Sequence, residues 1–247
     1  MSTRLVPAER PMLLAMLPLG ILMLGGCLAS AQEVTLTARV TWVNDAAKRD
    51  PGNVVVWLTP EEGPVPQAAA AVPPQKPTLV QRNKSFEPHV LVVPVGSIVA
   101  FPNRDPFFHN VFSLFDGKRF DLGLYEAGTS RDVHFDRPGV SFIFCNIHPE
   151  MSAVVIALDT PYYGVSDSRG QIVIPKVPSG RYTLRSWYEG ALPETLKAMT
   201  HEIAVSEGNS TLGLLRLKDD GSPQGHKNLY GQDYNQPAPD NPAYPHP

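Results

Sequence analysis

The sequence predicts an all-β protein, and three observations carry that expectation. Its apolar residues come in short runs of about four to eight. A total of 26 prolines and 19 glycines punctuate those runs. No stretch keeps apolar residues at helical spacing for more than about three turns. Such a chain reads as many strands joined by tight turns. The net charge of −3 over 247 residues supplies no basic stripe for phosphates, which argues against a nucleic-acid binder.

The first ten residues carry Arg4 and Arg10, and the run PMLLAMLPLGILMLGG that follows is apolar and uncharged. That run has the length of a signal-peptide core. It is short for a membrane span and contains Pro18 and Gly20, so no transmembrane segment is expected in the mature chain. Ala29-Ser30-Ala31 puts small residues where a signal peptidase reads, which favours residues 1–31 as the signal and cleavage before Gln32. The stretch LGGC also resembles a lipobox, which would leave Cys27 lipid-modified at the mature N-terminus. Both readings export the chain, to the periplasm of a bacterium, with Cys145 as its only internal cysteine.

The exported part holds about 215 residues, room for one large or two small domains. EVTLTARVTWV alternates as a half-buried strand, and NVVVWLTP after the DPGN turn is expected as its hairpin partner. Residues 61–77 are rich in Pro and Ala and read as a linker. HVLVV, SIVAF, HNVFSLF, RDVHFD, VSFIFC and AVVIALD continue the series of strands. From Thr160 a second unit begins, with QIVIP and RYTLRSWYEG flanked by the turns SDSRG and VPSG. HEIAVSEGNSTLGLLRLK closes the folded part, and the polar residues 218–247 read as a disordered tail.

An exported protein with one unpaired internal cysteine must bury that thiol, pair it between molecules or use it on a metal. The bland reading is a buried structural cysteine. The neighbours favour the metal: FIFCNIHPEMS places Cys145, His148 and Met151 at every third position, on a loop leaving one strand and returning into the next. A thiolate, an imidazole and a thioether form a soft set that selects copper over magnesium, calcium or manganese. Zinc would recruit a further cysteine or histidine and has little use for a methionine. DPFFHNVFS supplies a second imidazole at a strand start. His109, Cys145 and His148 would then form a trigonal plane with Met151 as a long axial ligand. His89 and His134 are expected as strand residues, and His201, His226 and His246 lie outside this region. Phe107, Phe108, Phe142 and Phe144 are expected to keep water from the site.

Residues 78–158 resemble the cupredoxins, the type 1 blue-copper proteins. VPVGSIVAFPNRDPFFHNVFS is similar to their pattern VxxGxxVxWxNxDxxxHNV, and CNIHPEM has the ligand spacing of the amicyanin loop. The resemblance implies a Greek-key β-sandwich holding one type 1 copper ion on His109, Cys145, His148 and Met151. It also implies that the Asn110 side chain ties the two ligand loops together. The segment is short for a cupredoxin. Residues 160–217 resemble carboxypeptidase regulatory-like domains, whose pattern TDxxGxFxIxxVPxGxYxLxxWHE reads here as SDSRGQIVIPKVPSGRYTLRSWYEG, with Tyr188 in place of histidine. Such domains begin with a hairpin, so residues 33–60 and 160–217 are expected to form a second small β-sandwich. The copper domain would be inserted within it; a plain tandem, with the first hairpin joined to the cupredoxin, is the alternative. The whole chain also resembles bacterial proteins labelled "methylamine utilization protein", a label that carries no pathway.

The function these resemblances imply is a one-electron carrier between redox partners such as a c-type cytochrome and a dehydrogenase. A copper chaperone or sensor is the alternative, although it would favour exposed Met/His clusters and the chain has none. A copper enzyme is not expected: such enzymes wire a second copper through histidines beside the cysteine, and Cys145 is flanked by Phe144 and Asn146.

Overall fold

Along the first strand, β1 (Glu33–Trp42), residues Val34, Leu36, Ala38 and Val40 are buried while Glu33, Thr35, Thr37 and Arg39 are exposed. This period of two is what a sheet with one covered face demands. The computed structural model describes residues 32–43, 50–63, 75–114, 117–218 and 228–233. The expected signal segment and Cys27, most of the linker, and His226 and His246 in the tail lie outside the described residues.

Strands follow as β2 (Val55–Pro60), β3 (Val80–Arg82), β4 (Ser85–Glu87), β5 (Val90–Pro94), β6 (Ser97–Pro102), β7 (His109–Ser113) and β8 (Phe120–Tyr125). Next come β9 (Ser130–Phe135), β10 (Gly139–Phe144), β11 (Ser152–Leu158), β12 (Tyr163–Val165), β13 (Gln171–Pro178) and β14 (Gly180–Trp187). One short helix, α1 (Pro193–Ala198), precedes β15 (His201–Val205) and β16 (Thr211–Leu217). The fold class is therefore all-β, as the turn-punctuated apolar runs predict.

Two sandwiches share the chain. In the flanking one, a sheet ordered β13-β1-β16 faces a sheet ordered β12-β2-β14-β15. Val34, Leu36 and Val40 from β1, Val56 and Leu58 from β2, Ile172 and Ile174 from β13, and Leu184 from β14 fill the space between them. The expected hairpin of β1 with the strand that follows it is not formed. β1 pairs antiparallel with β13 and parallel with β16, whereas β2 pairs with β12 and β14. Both strands alternate toward the same core, so they face each other across it rather than bonding edge to edge.

The middle sandwich sets the sheet β5-β11-β10-β7-β8 against the antiparallel pair β6 and β9, with the small hairpin β3–β4 alongside. Its core contains Leu79, Phe86, Val99, Phe101, Val111, Phe135, Ile143 and Val155. β11 is buried at every position after its first. Ala153, Val155 and Ala157 point into this core, while Val154, Ile156 and Leu158 join Val55 and Trp187 of the flanking sandwich in a third cluster. Burial on both faces accounts for the continuous apolar run AVVIAL, which lacks the alternation of β1. His89, at the mouth of β5, adds a polar link: its Nε2 lies 2.8 Å from the Glu189 carboxylate just beyond β14.

Candidate metal centre

β7 and β10 are antiparallel neighbours, with Phe112 opposite Phe144. The start of β7 and the end of β10 therefore meet at one end of the sheet. His109 is the first residue of β7, and Cys145 directly follows β10. The loop from Cys145 to Met151 returns the chain into β11. It is closed from within by two backbone bonds, the Cys145 amide donating to the Met151 carbonyl at 3.2 Å and the Met151 amide to the His148 carbonyl at 3.1 Å.

This geometry brings three donor atoms together. His109 Nδ1 lies 3.1 Å from His148 Nδ1 and 3.8 Å from Cys145 Sγ, and His148 Nδ1 lies 3.5 Å from the same sulfur. A point in the plane of these atoms sits about 2.0 Å from all three. That is a metal–imidazole bond length and slightly under the ~2.3 Å of a metal–thiolate bond. His109 and Cys145 are fully buried, and His148 is partly exposed. Met151, also fully buried, packs in the same core as Cys145. The donor set and its spacing fit a single first-row metal ion.

The surroundings prepare these groups for that role. Burial pushes the Cys145 thiol above its ordinary range, although the backbone amides of Ile147, Asn110 and His148 donate to the sulfur and act the other way. Burial, aided by the neighbouring His109, brings His148 down to about 4. Burial also lowers His109, against the pull of Asp105. Both imidazoles are therefore neutral at pH 7, with lone pairs available.

Asp105 is the residue that spacing alone did not single out. Its carboxylate lies 2.8 Å from His109 Nε2, accepts the Asn83 amide at 2.6 Å and accepts the Lys84 amide at 2.9 Å. Those amides come from the β3–β4 turn, where Asn83 and Lys84 both hold positive φ and aim their N–H groups at one point. Burial opposes ionisation, but these donors and His109 outweigh it and hold the carboxyl below its ordinary value. Asn103 shapes the loop: its Oδ1 accepts the Asp105 amide at 3.0 Å, and its Nδ2 donates to the Phe107 carbonyl at 2.8 Å. The Asn-x-Asp run four residues before His109 was the available signal.

Asn110 behaves differently from the expectation. Its side-chain Nδ2 donates to Asp121 Oδ1 on β8 at 2.8 Å, and the link to the cysteine loop runs through its backbone amide to the sulfur. The phenylalanines divide. Phe107 packs edge-on against His109, with ring centroids 5.1 Å apart, and against His148 at 5.6 Å. Phe142 turns away to Trp187 and Phe144 to Phe112, and Phe108 is exposed. Period-2 alternation explains this, since Ile143 and Cys145 take the inward face and the even-numbered residues take the other. His89 sits just before β5 rather than in a strand, and His134 lies exposed on β9.

The tail also contributes. Asn228–Gln232 closes on itself, with the Asn228 amide donating to the Gln232 carbonyl at 2.9 Å, and the Leu229 amide donates to Asn146 Oδ1 at 2.8 Å. A turn from near the C-terminus thus rests on the residue next to Cys145.

No protein-family model and no curated protein matches the chain. Solved structures do, and those similar to it include cupredoxins and a copper enzyme. A purple cupredoxin from Nitrosopumilus maritimus is 23% identical, with 33% of this chain and 99% of that one covered, at a TM-score of 0.31. A reduced amicyanin variant is 23% identical over 42% of this chain and 98% of its own, at 0.32. The copper-containing nitrite reductase of Thermus scotoductus SA-01 is 20% identical over 49% of this chain, at 0.33, and only 28% of its length is covered.

Proposed function

We propose that the protein is an exported type 1 copper protein that carries single electrons between redox partners in the periplasm. The observation that carries this reading is the convergence of His109 Nδ1, Cys145 Sγ and His148 Nδ1, two of them buried and the third partly exposed. One thiolate and two imidazoles form the soft set that selects copper, and Met151, buried in the same core as Cys145, would add a weak thioether donor. A copper ion held there supplies a one-electron couple by alternating between its two oxidation states.

The chain's own residues do the rest. Cys145 and His109 are fixed at strand ends, which limits their movement when the charge at the site changes. The amides of Asn110, Ile147 and His148 steady the sulfur, and Phe107 covers both imidazoles against water. The outer edge of His148 is the port for electrons, and the exposed Phe108 and Pro149, chain neighbours of His109 and His148, are assigned to the rim around it. A rim of this kind suits a small, transient contact with a c-type cytochrome or a dehydrogenase. The pairing of β1 and β2 with strands beyond β11 supports reading 78–158 as a copper domain inserted within a regulatory-like sandwich of 33–60 and 160–217, a scaffold without catalytic residues.

The test is to load the mature protein with copper and record visible and paramagnetic resonance spectra. One copper per chain and an intense thiolate-to-copper band, lost in Cys145→Ser, are expected. An oxidised, copper-loaded protein without colour overturns the assignment. Stopped-flow oxidation by a soluble c-type cytochrome, run beside transfer to a Cu(I) chelator, separates the carrier from a chaperone. The carrier oxidises fast and keeps its metal; a chaperone oxidises slowly and surrenders it.

A further inference from the structure

Within the reading of His109 as a copper ligand, we propose that Asp105 is a positioning residue for the site, fixing which nitrogen of His109 meets the metal and strengthening that nitrogen as a donor. The argument begins with hydrogen-bond bookkeeping. Asp105 is only 5% exposed. One of its oxygens takes the Asn83 amide; the other takes the Lys84 amide and faces His109 Nε2 at 2.8 Å. Two backbone donors on so buried a group select the carboxylate form, which has no proton to give. The hydrogen between Asp105 and His109 therefore belongs to Nε2. A neutral imidazole with its proton on Nε2 has its lone pair on Nδ1, the atom facing Cys145 Sγ and His148 Nδ1.

The carboxylate also polarises the ring. A negative charge on the Nε2–H side makes Nδ1 a more basic ligand, and a more basic ligand favours the doubly charged metal over the singly charged one. Asp105 thus holds the reduction potential down. The carboxylate is held in turn by the β3–β4 turn, so residues more than twenty positions upstream set the donor strength of His109. The Asn103 Oδ1 bond to the Asp105 amide holds the backbone from the other side.

Asp105→Asn and Asp105→Glu test the assignment, first in metal-free protein and then with copper. Long-range nitrogen-15 spectra of the metal-free wild type should show His109 with its proton on Nε2. Asp105→Asn should shift part of the population to the other tautomer. Copper(II) affinity should fall about 10–100-fold in Asp105→Asn, with a smaller loss for copper(I) and a rise in potential. Each tenfold difference between the two losses appears as about 59 mV. Asp105→Glu, which keeps the charge, should restore the tautomer and part of the potential.

A purely structural role predicts equal losses for both oxidation states, an unmoved potential and an unmoved tautomer; that outcome overturns the proposal. Should the wild type take no copper, the electron-carrier reading fails while the His109 tautomer in Asp105→Asn still decides the role of Asp105. Should Asp105→Asn fail to fold, the tautomer in wild type and in Asp105→Glu decides it: a proton on Nδ1 of His109 in the wild type overturns the assignment.

Discussion

The Nδ1 atoms of His109 and His148 face each other at 3.1 Å, with the Cys145 sulfur closing the triangle. Both imidazoles are shifted below their ordinary range by burial, and the thiol is shifted above its own. At pH 7 the metal-free site is therefore two neutral rings and one protonated sulfur. Copper binding should release one proton per ion, from Cys145. Calorimetric titrations in two buffers of different ionisation enthalpy count it. The value should stay near one from pH 7 to 8, because burial holds both imidazoles below their ordinary value and the thiol above its own. A count near two at pH 7 would mean that one histidine is charged before the metal arrives.

Met151 offers a cleaner probe of tuning than of binding. It is fully buried in the apolar core, so Met151→Leu conserves volume and should cost under about 1.5 kcal/mol. Copper and colour should persist while the potential rises, since a weak donor to Cu(II) is lost. Met151→Gln should lower the potential through a harder oxygen donor. It should also destabilise the metal-free protein by about 1–3 kcal/mol, the cost of an unpaired buried amide. Voltammetry and urea unfolding read the two effects. Loss of copper in both variants would mark Met151 as a primary ligand.

The link between His89 and Glu189 predicts a slope in stability with pH. The hydrogen bond that His89 donates to the Glu189 carboxylate raises the imidazole above its ordinary value, against the effect of burial. A raised folded value means the contribution is fully present below about pH 6.5 and fades as pH climbs through the folded value. The two side chains are 37% and 45% exposed, so solvent screens the pair and the effect is small. Wild type should lose slightly more thermal stability than His89→Gln between pH 6 and 8. Equal slopes in the two proteins would show that the pair is not coupled to folding.

Trp187 lies where the sandwiches meet and is 5% exposed, with Phe142 packed against it at 6.5 Å between ring centroids. Trp187→Ala should cost about 3–5 kcal/mol, read by chemical denaturation. The copper spectrum of the folded variant should not change, because Phe142 turns away from the donor atoms.

The convergence of His109, Cys145 and His148 was legible because a short loop with donor side chains at every third position has few ways to turn them apart. The alternation in β1 revealed which residues are buried but not which strand lies beside it, since facing strands and paired strands leave the same period. The same alternation, carried through VSFIFC, separates Phe142 and Phe144 from Cys145. Asp105 was harder to assign. Its importance depends on the amides of Asn83 and Lys84, and no local pattern announces that this turn folds over the loop before His109. Asn228–Gln232 looked structureless by composition, yet the Asn228 side chain takes the Tyr230 and Gln232 amides and its carbonyl takes the Gly231 amide, enough to close a five-residue turn.

Because β11 is buried on both faces, the middle sandwich is not portable. Excised at residues 78–158, it would present Val90, Val154, Ile156 and Leu158 to water where Val55 and Trp187 now cover them. Burying one such side chain is worth about 1.5–3 kcal/mol, so the fragment would forfeit much of its stability and gain a sticky stripe across β5 and β11. Transplanting the metal loop into another protein would therefore mean recoding the outward positions of β11 with polar residues. The ligands and the far face of the sheet have to be inherited together.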